Sequence, residues 1–287
     1  MDILLTGATG FVGRHLIPVL QREGHKLVCI VRDEKRAMQI LGKENITYII
    51  SEHLSEVKNH NPECVIHLAS HLSSKDDIDT LKTLVDTNIL FGALLLDCLK
   101  QCDGLKLFMN FGTFAQYRLG PTDINDAYLY SATKTAFEQL LKYYSDSGYF
   151  KYINIIPYTI YGGVDSQKKV IDYIKDSLDS QSPVKMSGGR QILDFIHVDD
   201  VVSFINYVIS HLTLFREHPS VDYHLGTGKG TSIRELATMI EKKYKKKCNI
   251  EWGALPYRNN DVMYAVAPIG RLIYLGWKPK CRLEDKL

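Results

Sequence analysis

The sequence predicts an α/β protein, a doubly wound parallel sheet joined to a smaller α/β lobe, on three observations. Short apolar runs alternate with longer helical patterns through the first half, at residues 3–6, 27–31, 47–50, 64–68, 105–110 and 152–157. Each run is rich in Val, Ile or Leu at successive positions, as a strand covered by helices on both faces must be. Beyond Gly162 the rhythm lapses, and loop-like text such as Ser180-Gln181-Ser182-Pro183 and Ser187-Gly188-Gly189-Arg190 marks a second lobe.

The helical patterns between the strands are amphipathic. Residues 81–99 place apolar side chains at 81, 84, 85, 89, 94, 95, 96 and 99, which predicts one helix with a broad apolar face. Residues 130–144 carry Ala132, Ala136, Phe137, Leu140 and Leu141 at helical spacing. Of the second half, 195–227 is expected to fold back onto the first lobe. The division is therefore 1–162 with that return, and 163–287 for most of the second lobe.

Composition narrows the function. The chain has 287 residues, 45% hydrophobic and 24% charged, with a formal charge of +2. So small a charge gives no reason to expect nucleic acid or a membrane surface as partner. The basic run from Lys242 to Lys247 reads as a solvated helix end. Six cysteines at 29, 64, 98, 102, 248 and 281 show no metal-site spacing. Cys98 and Cys102 suit two packed thiols, and the expected compartment is the reducing cytoplasm. No run approaches the length of a membrane span, and no leader pattern is visible at the start.

The first strand runs into Gly7-Ala8-Thr9-Gly10-Phe11-Val12-Gly13 and then a helix. Glycines there allow a tight turn, close approach of a pyrophosphate to backbone N–H groups, and close helix–strand contact. At the first strand–helix turn of a βαβ chain, this spacing predicts a Rossmann-type dinucleotide site. Gly7, Thr9, Gly10, Phe11, Val12 and Gly13 are its expected residues. Pro18 predicts a kink or a lost hydrogen bond in the following helix. The second strand ends in Val31-Arg32-Asp33, with no acid at the position that usually meets the adenosine ribose. Arg32 would pair with a 2′-phosphate, so NADP is expected, with NAD through Asp33 as the alternative.

Tyr130-Ser131-Ala132-Thr133-Lys134 places a phenol and an ammonium one helical turn apart. An ammonium beside a phenol lowers its pKa from about 10 and lets it exchange a proton with a substrate oxygen. With 17 tyrosines in the chain a chance match is expected, and Tyr274-Leu275-Gly276-Trp277-Lys278 supplies it. Gly276 and Pro279 argue against a helix there. Thr113 lies just past the fifth strand, where open parallel sheets bind ligands, and is placed to bond the reacting oxygen.

These glycines, the threonine and the Tyr–Lys pair resemble the extended short-chain dehydrogenase/reductases, the NAD-dependent epimerase/dehydratase family. The likeness continues through His67-Leu68-Ala69, Asn88, Tyr161-Gly162, Asp194-Phe195-Ile196-His197-Val198-Asp199-Asp200, Gly226-Thr227-Gly228 and Arg258-Asn259-Asn260-Asp261. It implies Thr113, Tyr130 and Lys134 as the catalytic residues. It adds Leu68, Ala69 and Pro157 to the dinucleotide contacts, alongside Tyr130 and Lys134. It also implies a nucleotide-diphosphate sugar as substrate, met by Asn88, Lys185, Arg190 and Arg258, the last through a guanidinium fork suited to phosphate oxygens. Matching helices in such relatives pair about a two-fold axis, which implies a homodimer. Ile156 and Leu193 stand where the family usually has arginines, so the substrate or its pose differs from the common members.

Several reactions share this scaffold. Phe114 and Ala115 occupy the positions where 4,6-dehydratases resembling this chain carry an acid pair, and neither holds a proton. Epimerase-reductases use a Cys–His pair, and residues 110–117 contain no cysteine. The sequence is most similar to 4-ketoreductases of the CDP-abequose/CDP-paratose synthase type, through Pro183-Val184-Lys185 and Glu251-Trp252-Gly253-Ala254. That resemblance implies NADPH-dependent reduction of a 4-keto CDP-deoxysugar for a bacterial surface polysaccharide such as lipopolysaccharide. An NAD-dependent 4-epimerase is the alternative. A non-catalytic dinucleotide sensor is the third reading, although such proteins lose the Tyr or Lys that this chain keeps.

Overall fold

Ile3, Leu4 and Leu5 have no exposed surface, and they alternate between the apolar cores on the two faces of one sheet. The structure, a computed structural model, describes residues 1–165, 167–218 and 222–287. Strand β1 (Asp2–Thr6) leads into α1 (Phe11–Arg22), followed by β2 (Lys26–Val31), α2 (Glu34–Leu41), β3 (Ile46–Ile50) and β4 (Cys64–His67). Helices α3 (Ile78–Val85) and α4 (Phe91–Leu99), β5 (Leu107–Phe111), α5 (Leu129–Asp146) and β6 (Lys151–Pro157) come next. The chain continues through β7 (Thr159–Tyr161), α6 (Val170–Ser177), β8 (Val184–Met186), β9 (Ile192–His197), α7 (Val198–Ser210), α8 (Leu212–Arg216) and β10 (Asp222–Leu225). Elements β11 (Gly230–Ser232), α9 (Ile233–Tyr244), β12 (Ile250–Trp252), β13 (Tyr264–Ala265), α10 (Gly270–Tyr274) and α11 (Leu283–Lys286) complete it.

The main sheet is parallel, in the order β10-β6-β5-β4-β1-β2-β3. Strand order reverses at β1, which lies between β2 and β4, so the crevice past the strand C-termini opens there. Helices α1 and α7 cover one face; α4 and α5 cover the other. The second lobe centres on β9, flanked by β11, β13 and β7, with β8 paired to β12 nearby. Helices α6, α9 and α11 close its core around Ile174, Phe195, Leu236 and Ile240.

Several details bear on the sequence expectations. Residues 81–99 are not one α-helix: a π-helical turn, Asp86–Leu90, separates α3 from α4 and carries the buried Asn88. Pro18 leaves α1 unbroken, although its ring nitrogen has no proton to donate. Strand β10 and helix α7 join the first lobe's sheet and core, while residues 219–221 of the expected return lie outside the described ones. Leu272 and Trp277 also enter that core, so 270–277 does not belong with the second lobe. The lysines from 242 to 247 are exposed around the end of α9.

Candidate active site

The glycine turn works by what it lacks. Gly7 has φ +70°, and a Cβ there would sit 2.6 Å from the Ala69 nitrogen and 2.7 Å from the Leu68 carbonyl carbon. At Gly13 a Cβ would lie 2.4 Å from the Ala8 oxygen. The two glycines therefore let β1, β4 and α1 meet at backbone distance, placing Leu68 and Ala69 beside the turn. Gly10 caps α1 without a side-chain hydrogen bond, leaving first-turn N–H groups near Phe11, Val12 and Gly13 for an anion. This cradle fits the pyrophosphate of a dinucleotide.

At the end of β2, Val31 is buried and Arg32 is exposed, without an ion pair among the described residues. The Asp33 carboxylate accepts the Arg36 N–H at 2.9 Å and so caps α2. That bond engages one carboxylate oxygen of Asp33 and leaves the other exposed. Pro157 ends β6, in register with Leu225 of β10.

Helix α5 carries Tyr130 and Lys134. Lys134 is 3% exposed, and burial pulls its ammonium down to about 8. Among the described residues no group accepts a hydrogen bond from that ammonium, which leaves it for the hydroxyls of a ribose. Burial pushes the Tyr130 phenol up, while a hydrogen bond with the Ser70 side chain pulls it partway back. Behind the pair, His67 stays neutral: burial first, and Lys134 second, pull its imidazole down to about 3. His67 meets the Thr6 hydroxyl at 2.9 Å.

Thr113 is buried, and its hydroxyl oxygen accepts the Ala115 N–H at 3.3 Å, leaving the hydroxyl proton for another acceptor. Gln116 ties this loop to α5: its side chain accepts the Thr113 N–H at 2.8 Å and donates to the Thr135 hydroxyl at 3.1 Å. Phe114 stacks on Tyr158, and Ala115 is buried, so neither neighbour of the threonine brings an acid or base. Tyr274 is 89% exposed at the end of α10, with Lys278 beyond that helix. The second Tyr–Lys match is therefore not a helical pair.

Asn88, expected to meet the substrate, is buried and hydrogen-bonded within the protein. Its amide donates to the His71 carbonyl and the Thr133 hydroxyl, each at 3.0 Å. Its oxygen accepts the His71 N–H at 2.8 Å and the Ser70 hydroxyl at 3.3 Å. All four hydrogen-bonding positions are spent on holding the loop after β4 to α5, and thereby Ser70 to Tyr130.

The other expected substrate residues belong to the second lobe. Arg258 is exposed, free of ion pairs among the described residues, with its guanidinium carbon 5.4 Å from the Tyr128 ring centroid. Arg190 is exposed on a loop whose backbone N–H bonds the Tyr257 hydroxyl at 3.1 Å, and Gly189 of that loop packs on Trp252. Lys185 is exposed on β8, opposite Glu251.

Sequence reasoning missed Ser70, Tyr128 and Glu138. Ser70 follows the β4 terminus, and the rule that singled out Thr113 would have found it. Glu138 lies one turn beyond Lys134, where burial and the facing Asp222 carboxylate push it up to about 7. Asp222 in turn accepts from Asn154 at 2.9 Å and from the Tyr117 hydroxyl. Asp222 thereby ties β10 to β6 and to the Tyr117 loop.

Comparison with known proteins identifies the family. The sequence profile of the NAD dependent epimerase/dehydratase family matches residues 3–224. A CDP-abequose synthase of Salmonella typhimurium (strain LT2) is 31% identical over 96% of this chain and 93% of the relative. The CDP-abequose synthase of Yersinia pseudotuberculosis is 27% identical over 92% and 91%. A solved UDP-glucuronic acid 4-epimerase from Bacillus cereus, in complex with UDP-glucuronic acid and NAD, superimposes with TM-score 0.87. It covers 100% of this chain and 96% of its own at 21% identity, a likeness that shows the fold alone. The chain belongs to the NAD-dependent epimerase/dehydratase family and is an NAD(P)-dependent enzyme of oxidoreductase type.

Proposed function

We propose that this enzyme reduces the 4-keto group of a CDP-linked deoxysugar with NADPH, in the synthesis of a surface-polysaccharide precursor such as that of lipopolysaccharide. The observation that carries the reading is the isolated proton donor: Tyr130 with Ser70 and Lys134 behind it, and no second acid–base group at Phe114 or Ala115. The CDP-abequose synthase relatives support the CDP-sugar. Arg32, exposed at the end of β2 and free of ion pairs among the described residues, supports NADP.

A reduced nicotinamide dinucleotide supplies a hydride when bound, and the glycine cradle, Arg32 and Lys134 are the residues that would hold it. Tyr130 gives its phenolic proton to the carbonyl oxygen of the substrate. Lys134 stabilises the phenolate that remains, and Thr113 donates a hydrogen bond to the same oxygen. Arg258, with Arg190 and Lys185, meets the diphosphate and nucleotide. The product is a secondary alcohol, and the phenol regains its proton from solvent.

The reading includes a homodimer in the cytoplasm. Ile78, Leu90, Leu94, Leu140 and Tyr143 on and between α3, α4 and α5 remain exposed, an apolar surface that suits a second copy. The six cysteines are free, as suits a reducing compartment. A second reading, the NAD-dependent 4-epimerase, is favoured by the UDP-glucose 4-epimerase of Rhizobium meliloti (strain 1021), 26% identical over 97% of this chain.

Tyr130→Phe tests the proposal. Turnover of a 4-keto CDP-sugar, followed by loss of the reduced-nicotinamide absorbance, should fall by about 10²–10⁴. NADPH binding by fluorescence should stay near that of the wild type. Wild-type turnover in the variant removes Tyr130 from the chemistry.

A further inference from the structure

Tyr128 ties three parts of the molecule together, and none of the catalytic steps above uses it. It caps the N-terminus of α5, two residues before Tyr130, where its backbone N–H and carbonyl both bond the Ser131 hydroxyl, at 3.1 and 2.8 Å. Its ring centroid lies 5.4 Å from the guanidinium carbon of Arg258. Its phenol donates to Asp261 Oδ1 at 2.9 Å. The second Asp261 oxygen accepts from Gln191 at 3.0 Å, and Gln191 directly follows Arg190. The Asp261 N–H donates to the Arg258 carbonyl at 3.1 Å and closes the turn.

We infer that Tyr128 is a positioning residue which couples Arg258 to the start of the catalytic helix, so that gripping a nucleoside diphosphate also sets Tyr130. The inference rests on the reading of Arg258 as a diphosphate contact. Its physical basis is the choice of partner. A carboxylate holding Arg258 would cancel the charge that a diphosphate needs, whereas an aromatic ring restrains the guanidinium and leaves its charge intact. The ring contact uses no acceptor, so the N–H fork of the guanidinium remains for phosphate oxygens. The carboxylate that is nearby, Asp261, is occupied by Tyr128, Gln191 and the Val262 N–H. Phe114, Ala127 and Val262 pack in the same cluster as Tyr128, so the link runs through the core that joins the two lobes.

The test is calorimetric titration of the full-length protein with CDP and separately with NADPH, on Tyr128→Leu, Tyr128→Phe, Arg258→Ala and the Leu/Ala double variant. Tyr128→Leu should weaken CDP about three- to thirtyfold and leave NADPH unchanged. In the Arg258→Ala background, Tyr128→Leu should cost CDP nothing further. Tyr128→Phe keeps the ring and should recover most CDP affinity, while kcat stays low because the Asp261 bond is lost. The coupling is overturned if Tyr128→Leu binds CDP like the wild type, if CDP and NADPH weaken together, or if the two losses simply add. Wild-type protein that binds no CDP would instead overturn the diphosphate reading of Arg258, and this inference with it.

Discussion

At the proposed dinucleotide end of the site the working parts are peptide N–H groups and missing side chains; at the proposed nucleotide-sugar end they are side chains that hold one another. Gly7 and Gly13 bring three backbone segments together, and an uncapped helix faces the space they leave. Arg258, Tyr128, Asp261 and Gln191 instead form a chain of side-chain contacts between segments far apart in sequence. The first construction tolerates no added atom. The second is open to substitution one residue at a time, which suits an end of the site where substrates differ between relatives.

The largest expected effect breaks the backbone end. Gly13→Ala places a Cβ 2.4 Å from the Ala8 carbonyl oxygen, with no flexible side chain to yield. Dinucleotide affinity should fall by more than about a hundredfold. Gly270→Ala, where nothing lies within 4 Å of the new Cβ, should leave affinity unchanged. Equal behaviour of the two variants in a fluorescence titration would refute the cradle.

A smaller effect sharpens the cofactor choice. A charge-assisted bond from Arg32 to a 2′-phosphate is worth about 1.5–3 kcal/mol, which is about ten- to hundredfold in affinity. Arg32→Ala should lose that much NADPH affinity and almost no NADH affinity. A wild-type preference for NADH would return the site to Asp33 and favour the epimerase reading.

The smallest effect comes from Lys134. Burial holds its ammonium at about 8, below the usual lysine range, and a bound ribose favours the charged form. Dinucleotide affinity is therefore full below that pH and falls as pH rises through it, by at most about tenfold per unit. Lys134→Arg cannot lose its charge in this range and should bind with a flat profile, whatever its absolute affinity. A flat profile in the wild-type protein would contradict the assignment. The apoprotein carries the opposite sign: with the folded pKa depressed, this group's contribution to stability is full above the unfolded value and declines as pH falls through the folded one.

The difference between the two ends also explains what the sequence revealed. The glycine spacing was legible because the absence of Cβ atoms is itself written in the residue types. Tyr130 and Lys134 were legible because four residues make one helical turn, and Gly276 disqualified their imitation at Tyr274. The π turn at Asn88 was not legible, since it is set by bonds to Ser70, His71 and Thr133 that periodicity does not encode. Tyr128 was missed for the same reason: its partner Asp261 lies 133 residues away. Trp277 and Leu272 read as second-lobe residues by position, yet burial against α7 and β10 places them in the first core.

The most direct test of the central claim is the stoichiometry of cofactor use by the wild-type enzyme with a 4-keto CDP-deoxysugar. Absorbance of the reduced nicotinamide and product formation by chromatography are followed in one reaction. A simple ketoreductase oxidises one NADPH for each hydroxy sugar formed and stops when NADPH is exhausted. Interconversion of sugar nucleotides without net oxidation of the cofactor would contradict the account and identify an epimerase.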